Sequence, residues 1–171
     1  MNKADYVQMR IYAPDFKMPC ELDDRYSYIE ISEYSHEKDL LKIIDSINET
    51  LSDWKNRPDV DNLKKRFEAG SSCFIQYFKG EVTGWFWTCN FLTHDWVEKV
   101  KDLPTPNSNY SGGTYVIKKV APRNAGYQLY AYCIEKVMSR TDYGYAYVDK
   151  WNKAPIRLNF NCGATYIDNL L

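Results

Sequence analysis

The sequence predicts a mixed α/β fold, with parallel and antiparallel strands in a sheet and a βαβ crossover late in the chain. Three observations carry this. Apolar residues recur at helical spacing at Leu40, Ile44, Ile47, Leu51 and Trp54, one stripe over about four turns. Two aromatic-rich runs, residues 73–78 and 81–91, are separated only by Lys79-Gly80, the pattern of a β-hairpin. The last third then alternates. Residues 113–120 read as a strand between the Gly112-Gly113 pair and Pro122. Tyr127, Ala131, Ile134 and Met138 step along a helix, and residues 143–147 form another strand. Asn152 then leads a short helix closed by Gly163.

The remaining elements follow in order. The first twenty-five residues, with Pro14, Pro19 and an acidic patch at 21–24, read as irregular. Residues 26–31 alternate and read as the first strand. Ser35 reads as the N-cap of the first helix, with Glu37 suited to its dipole. Asn56-Arg57-Pro58 breaks that helix, and a second runs from about Asp61, with Leu63 and Phe67 one turn apart and Gly70 at its end. Residues 93–110 are polar, hold Pro104 and Pro106, and form the longest insertion, with one amphipathic piece at 96–100. Residues 165–171 read as a last strand. The order is therefore strand, helix, helix, strand, strand, strand, helix, strand, helix, strand, in one domain over residues 1–171.

Composition narrows the function. A chain of 171 residues can bury a substantial core. The net charge of −1 gives no reason to expect nucleic acid or a membrane surface as partner. Apolar runs are too short for a spanning helix, and the start lacks a secretion signal. Five cysteines are scattered without Cys-x-x-Cys pairs, which reads as buried thiols in a reducing, cytoplasmic setting. With only His36 and His94 available, no metal site is expected. Aromatic residues are abundant, and core and cross-strand packing accounts for them better than stacking platforms do.

Two motifs in the last third resemble the GNAT superfamily of N-acyltransferases. The turn Arg123-Asn124-Ala125-Gly126-Tyr127-Gln128 is similar to the family's Arg/Gln-x-x-Gly-x-Gly/Ala, with Gln128 at the last small position. The segment Asn152-Lys-Ala154-Pro155-Ile-Arg-Leu-Asn159 is similar to the family's asparagine-led helix. The element order also matches. A turn with glycine ahead of a helix aims backbone N–H groups at one point, which suits a pyrophosphate. The resemblance implies that Arg123, Asn124, Ala125, Gly126 and Tyr127 supply those amides. It implies that Ile117, Lys118, Lys119 and Val120 line the pantetheine arm where two strands splay, that Asn152 touches that arm, and that Asn159 belongs to the cofactor-binding set. The implied co-substrate is acetyl-CoA or another acyl-CoA.

Acyl transfer needs a base for the amine, donors for the oxyanion and an acid for the leaving thiolate. Asn159 stands where the family often has the acid, a tyrosine, and an amide does not fill that role. Tyr145 or Tyr147 is the candidate substitute. His94, with Asp95, is the candidate base because its side chain titrates near neutral pH, ahead of Glu30 and Glu33. Cys162 reads as a buried thiol rather than a nucleophile. The expected activity is transfer from acyl-CoA to the amine of a small molecule or amino sugar, for which Asp23, Asp24, Tyr26 and Trp54 are suited. The chain is expected to act as a monomer or homodimer. The alternative is a GNAT-like domain that binds a CoA-type ligand or a protein partner without catalysis.

Overall fold

The computed structural model describes residues 6–50, 58–90 and 107–167. Seven strands and four α-helices alternate along them: β1 Tyr6–Tyr12, β2 Tyr26–Ile31, α1 Glu37–Thr50, α2 Val60–Glu68, β3 Ser72–Phe78, β4 Glu81–Asn90, β5 Ser108–Val116, α3 Ala125–Met138, β6 Tyr143–Asp149, α4 Lys153–Asn161 and β7 Thr165–Tyr166. The strands form one mixed sheet in the order β2-β3-β4-β5-β6-β1-β7. This is the mixed α/β class that the sequence predicts. Two compact units make up the chain. One holds Leu22–Trp87 and Gly113–Tyr130, the other Met1–Glu21, Thr88–Gly112 and Ala131–Leu171, and β4, β5 and α3 each run through both.

In the first unit, β2 pairs antiparallel with β3 from Tyr26↔Phe78 to Ile31↔Cys73. The β3–β4 connection has positive φ at both central residues, Lys79 (51°) and Gly80 (81°), as the tight hairpin turn requires. Helix α1 buries Leu40, Ile43, Ile44 and Ile47, and α2 buries Leu63 and Phe67. These pack with Cys73, Ile75, Val82, Trp85, Trp87 and Ile117. Each large apolar side chain so buried contributes about 1.5–3 kcal/mol relative to exposure. Leu51 and Trp54, expected on the same stripe, lie outside the described residues. Ser35 does not cap α1: its hydroxyl donates to the Glu33 carbonyl, and the His36 carbonyl takes the Asp39 and Leu40 amides instead. Asp59 does cap α2, accepting from the Asn62 amide at 2.7 Å.

In the second unit, β1 pairs antiparallel with β6 along its whole length, Tyr6↔Asp149 to Tyr12↔Tyr143, and with β7 at Met9↔Tyr166 and Arg10↔Thr165. The irregular start expected from Pro14 and Pro19 is thus corrected for residues 6–12. Val7, Met9 and Ile11 alternate with Gln8 and Arg10, and Met9 and Ile11 are buried. The first proline only begins the 3-10 turn Ala13–Asp15 after the strand ends. The last strand is shorter than expected, Thr165–Tyr166, and residues 168–171 lie outside the described ones.

A second correction concerns β5. The strand expected at 113–120 runs instead from Ser108 to Val116. Its first half, Ser-Asn-Tyr-Ser, reads as loop by propensity, but parallel pairing with β6 from Ser108↔Tyr143 to Ser111↔Ala146 makes it a strand. In the first unit, β5 crosses close to Gly84 of β4, where a Cβ would collide with the Tyr115 carbonyl oxygen. Backbone cannot yield there as a side chain would. Gly84→Ala is expected to cost at least about 2 kcal/mol by overpacking, read as a lowered midpoint in denaturant unfolding; an unchanged midpoint would contradict this contact.

Candidate functional site

The chain turns sharply after β5. The Ile117 amide donates to the Thr83 carbonyl at 2.8 Å, and the Ile117 carbonyl accepts from the Val120 and Ala121 amides at 3.1 and 2.9 Å. Ile117, Lys118, Lys119 and Val120 are therefore not the strand residues the sequence suggested. Ile117 is buried in the core, Lys119 pairs with Glu49 at 2.6 Å, and Val120 is exposed. The backbone of Ile117 is used to end the strand, because the edge it leaves must be satisfied within the turn.

Helix α3 starts four residues further on, and its first amides divide into two sets. The Ala125 N–H donates to the Pro122 carbonyl at 2.9 Å, and those of Tyr127 and Gln128 donate to the Asn124 carbonyl at 3.0 Å. The amides of Arg123, Asn124 and Gly126 find no protein acceptor among the described residues. Three open N–H groups at the positive end of a helix dipole make a ready place for an anion. At Gly126 a Cβ would meet only Val116 Cγ2, at 3.4 Å, so internal packing does not demand glycine there.

Long-range bonds within the same unit hold this turn. The Tyr26 hydroxyl donates to Asn124 Oδ1 at 2.7 Å, and the Asp23 amide donates to Gln128 Oε1 at 2.8 Å. Gln76, fully buried on β3, donates from Nε2 to the Ala125 carbonyl at 3.0 Å and accepts at Oε1 from Thr83 at 3.0 Å. Gln128 is thus turned into the interior and tied to residue 23, which accounts for its bulk at the family's small position. Asp23 and Tyr26, suited in the sequence to an acceptor amine, are instead the supports of this turn. Those contacts join residues 98 and 105 positions apart, so no local signal reveals them.

The other expected residues lie in the second unit, apart from Asp24, Glu30 and Glu33, which lie exposed in the first, and His94, Asp95 and Trp54, which lie outside the described residues. Tyr145 is buried among Tyr110, Tyr143, Tyr147 and Ile167. Tyr147 stands opposite Gln8 in the β1–β6 register. Burial pushes its phenol well above the ordinary range, and the Gln8 side chain pulls it partly back. Asn152 precedes α4 but its side chain makes no cap bond. Asn159 is 2% exposed and donates from Nδ2 to the Pro155 carbonyl at 2.9 Å, one turn back on its own helix. Burial pushes the fully buried Cys162 thiol up to about 12, so it carries no thiolate near neutral pH.

The β5–β6 ladder of the second unit is four residues long and ends at Ser111↔Ala146, immediately before Gly112 and Gly113. Gly113 has φ 73°, in the left-handed region. A glycine there re-aims a strand and ends pairing.

No family model and no curated protein sequence matches this chain. Solved structures do. A tandem GNAT protein of clavulanic acid biosynthesis matches with TM-score 0.62 at 13% identity, over 95% of this chain and 50% of its own. The fold is the GNAT fold. A second match is an aminoglycoside acetyltransferase from an uncultured soil metagenomic sample, with TM-score 0.58 and 10% identity, over 83% of this chain and 90% of its own. A third is yncA from Salmonella typhimurium, solved with its cofactor acetyl-CoA, with TM-score 0.57 and 17% identity, over 82% and 79%. The chain spans only about half the length of the tandem protein and of two further matched structures, 50%, 57% and 48%.

Beside the turn, the Arg25 side chain and backbone amide both donate to the Asp23 carboxylate, holding it at about 2 against an ordinary 3.8. A carboxyl lowered on folding stabilises above its unfolded value and loses that contribution as pH falls through the folded one. Asp23 is therefore expected to titrate near pH 2 by NMR, and Arg25→Ala to return it toward 3.8. A wild-type midpoint near 3.8 would contradict the pair.

Proposed function

We propose that this protein is an acyl-CoA-dependent N-acyltransferase. One observation carries the reading: the open amides of Arg123, Asn124 and Gly126 at the start of α3 stand at the family's pyrophosphate motif. A pyrophosphate satisfies them together and complements the helix dipole, and glycine at 126 lets it approach the backbone closely. The Arg123 guanidinium, exposed beside them, adds a cation. The GNAT fold supports the same reading at the level of architecture.

In this reading a neutral amine attacks the thioester carbonyl carbon, the carbon–sulfur bond breaks, and the thiolate leaves with a proton. Tyr147 is the candidate donor for the last step: its phenol carries a proton at neutral pH, and the burial that raises it also makes it a weaker acid. Asn152, with no cap bond to make, is available to the pantetheine arm. Asn159 is committed to Pro155 and delivers no proton, which makes it a structural residue. That commitment also favours a second reading, a domain that keeps the ligand and has lost the transfer. Release of free thiol from acetyl-CoA with a panel of amines separates the two.

Coenzyme A at about a hundredfold its dissociation constant is expected to stabilise the protein by roughly 2.7 kcal/mol, read as a raised melting temperature. Gly126→Asp is expected to abolish that shift while leaving the unliganded melting temperature nearly unchanged, since its Cβ meets only Val116 and its carboxylate repels the phosphates. An unmoved wild-type melting temperature at saturating coenzyme A removes the proposal.

Asn159→Ala is expected to lower unfolding stability by about 1–3 kcal/mol, through the lost bond and a small cavity, with turnover reduced less than about tenfold. A hundredfold loss of turnover at unchanged acetyl-CoA affinity would assign Asn159 a role in the chemistry.

A further inference from the structure

Arg66, in the last turn of α2, is exposed, and its guanidinium lies over the Trp87 ring, 5.2 Å from the centroid. Arg25, Lys42 and Lys119 each pair with a carboxylate, but none among the described residues lies within ion-pair distance of Arg66. Trp87 itself is 3% exposed, set edge-on to Trp85 and tilted against Phe67. Its indole N–H has no acceptor among the described residues. A buried donor left without a partner is uncommon and calls for an occupant.

These two donors converge. Arg66 Nη1 and Trp87 Cδ1 each lie 3.5 Å from the point where a Cβ would stand on Gly113, and Cδ1 is the ring carbon bonded to the indole nitrogen. Bare backbone with φ 73° therefore faces a cation and the Cβ–Cδ1 side of the indole, one bond from its nitrogen. A guanidinium held over an aromatic face has fewer orientations to lose, and its fork matches the two oxygens of a carboxylate.

We infer that Arg66 and Trp87 bind a carboxylate carried by the acceptor, so that the acceptor is an amino acid or a similar amine with an acidic group rather than an amino sugar. The identity of this carboxylate as an acceptor rests on the N-acyltransferase reading. Gly113 lies on β5, the strand that runs into the turn proposed to hold the acyl donor, so an amine joined to a carboxylate at Arg66 is carried by the element that leads to that turn. The guanidinium meets the carboxylate at the rim, and the indole N–H becomes the second donor as the guanidinium turns toward it.

The test uses two probes that differ only in the charged group, N-acetyl-L-phenylalanine and N-acetyl-L-phenylalaninamide, each titrated calorimetrically into the full chain without coenzyme A. The acid is expected to bind at least tenfold more tightly than the amide. Arg66→Ala removes that preference, Arg66→Lys keeps part of it, and Trp87→Phe, which retains a ring under the guanidinium, weakens acid binding several-fold. Equal binding of acid and amide, binding of neither, or a preference that survives Arg66→Ala overturns the carboxylate site. Coenzyme A is titrated separately. Arg66-dependent acid binding without coenzyme A binding upholds the carboxylate site and removes the transferase reading, whereas coenzyme A binding with indifference to the carboxylate does the reverse.

Discussion

A buried side-chain amide holds the candidate site in place. Gln76 is fully buried on β3, and its two polar ends reach Thr83 on β4 and the carbonyl of Ala125 at the start of α3. An unpaired buried amide would be strongly unfavourable, so each of these bonds specifies where its partner must be. The first residue of α3 is thereby tied to the sheet. Tyr26 and Asp23 fix the neighbouring residues Asn124 and Gln128 from a different strand and loop. With the helix start held from these directions, the three amides that lack acceptors among the described residues keep a fixed arrangement, which lowers the ordering cost of binding an anion.

The same logic separates residues that support from residues that are left open. Ile117, Asn159 and Gln128 all fall within the two motifs or beside them, yet each has its polar groups committed inside the protein. Among the described residues, the Arg123 and Gly126 amides find no acceptor, and the Asn152 side chain makes no cap bond. The distinction is one of hydrogen-bond accounting rather than of residue type, and only the structure supplies it.

Much of the architecture was legible in the sequence because its signals are local. The α1 stripe, the α2 pair Leu63 and Phe67, the Lys79-Gly80 turn and the Arg123–Gly126 turn each lie within a few residues of chain. Two strands were hidden. Residues 6–12 sit beside prolines, and the first half of β5 is Ser-Asn-Tyr-Ser; both are extended because neighbouring strands pair with them, a tertiary effect that propensity does not carry. The supports of the turn were illegible for the same reason. Tyr26 and Asn124, or Asp23 and Gln128, are brought together by the fold alone, and Ser35 failed as a cap because His36 lies between it and the helix.

The central claim is that three particular amides, and not the turn as a whole, receive the pyrophosphate. Amide-resolved NMR of the labelled protein with added coenzyme A tests it most directly. The account predicts large downfield proton shifts at Arg123, Asn124 and Gly126, with smaller ones at Ala125 and Tyr127, whose N–H groups already donate to Pro122 and Asn124. Shifts that are absent from this turn, or that are largest at Ala125 and Tyr127, would contradict it.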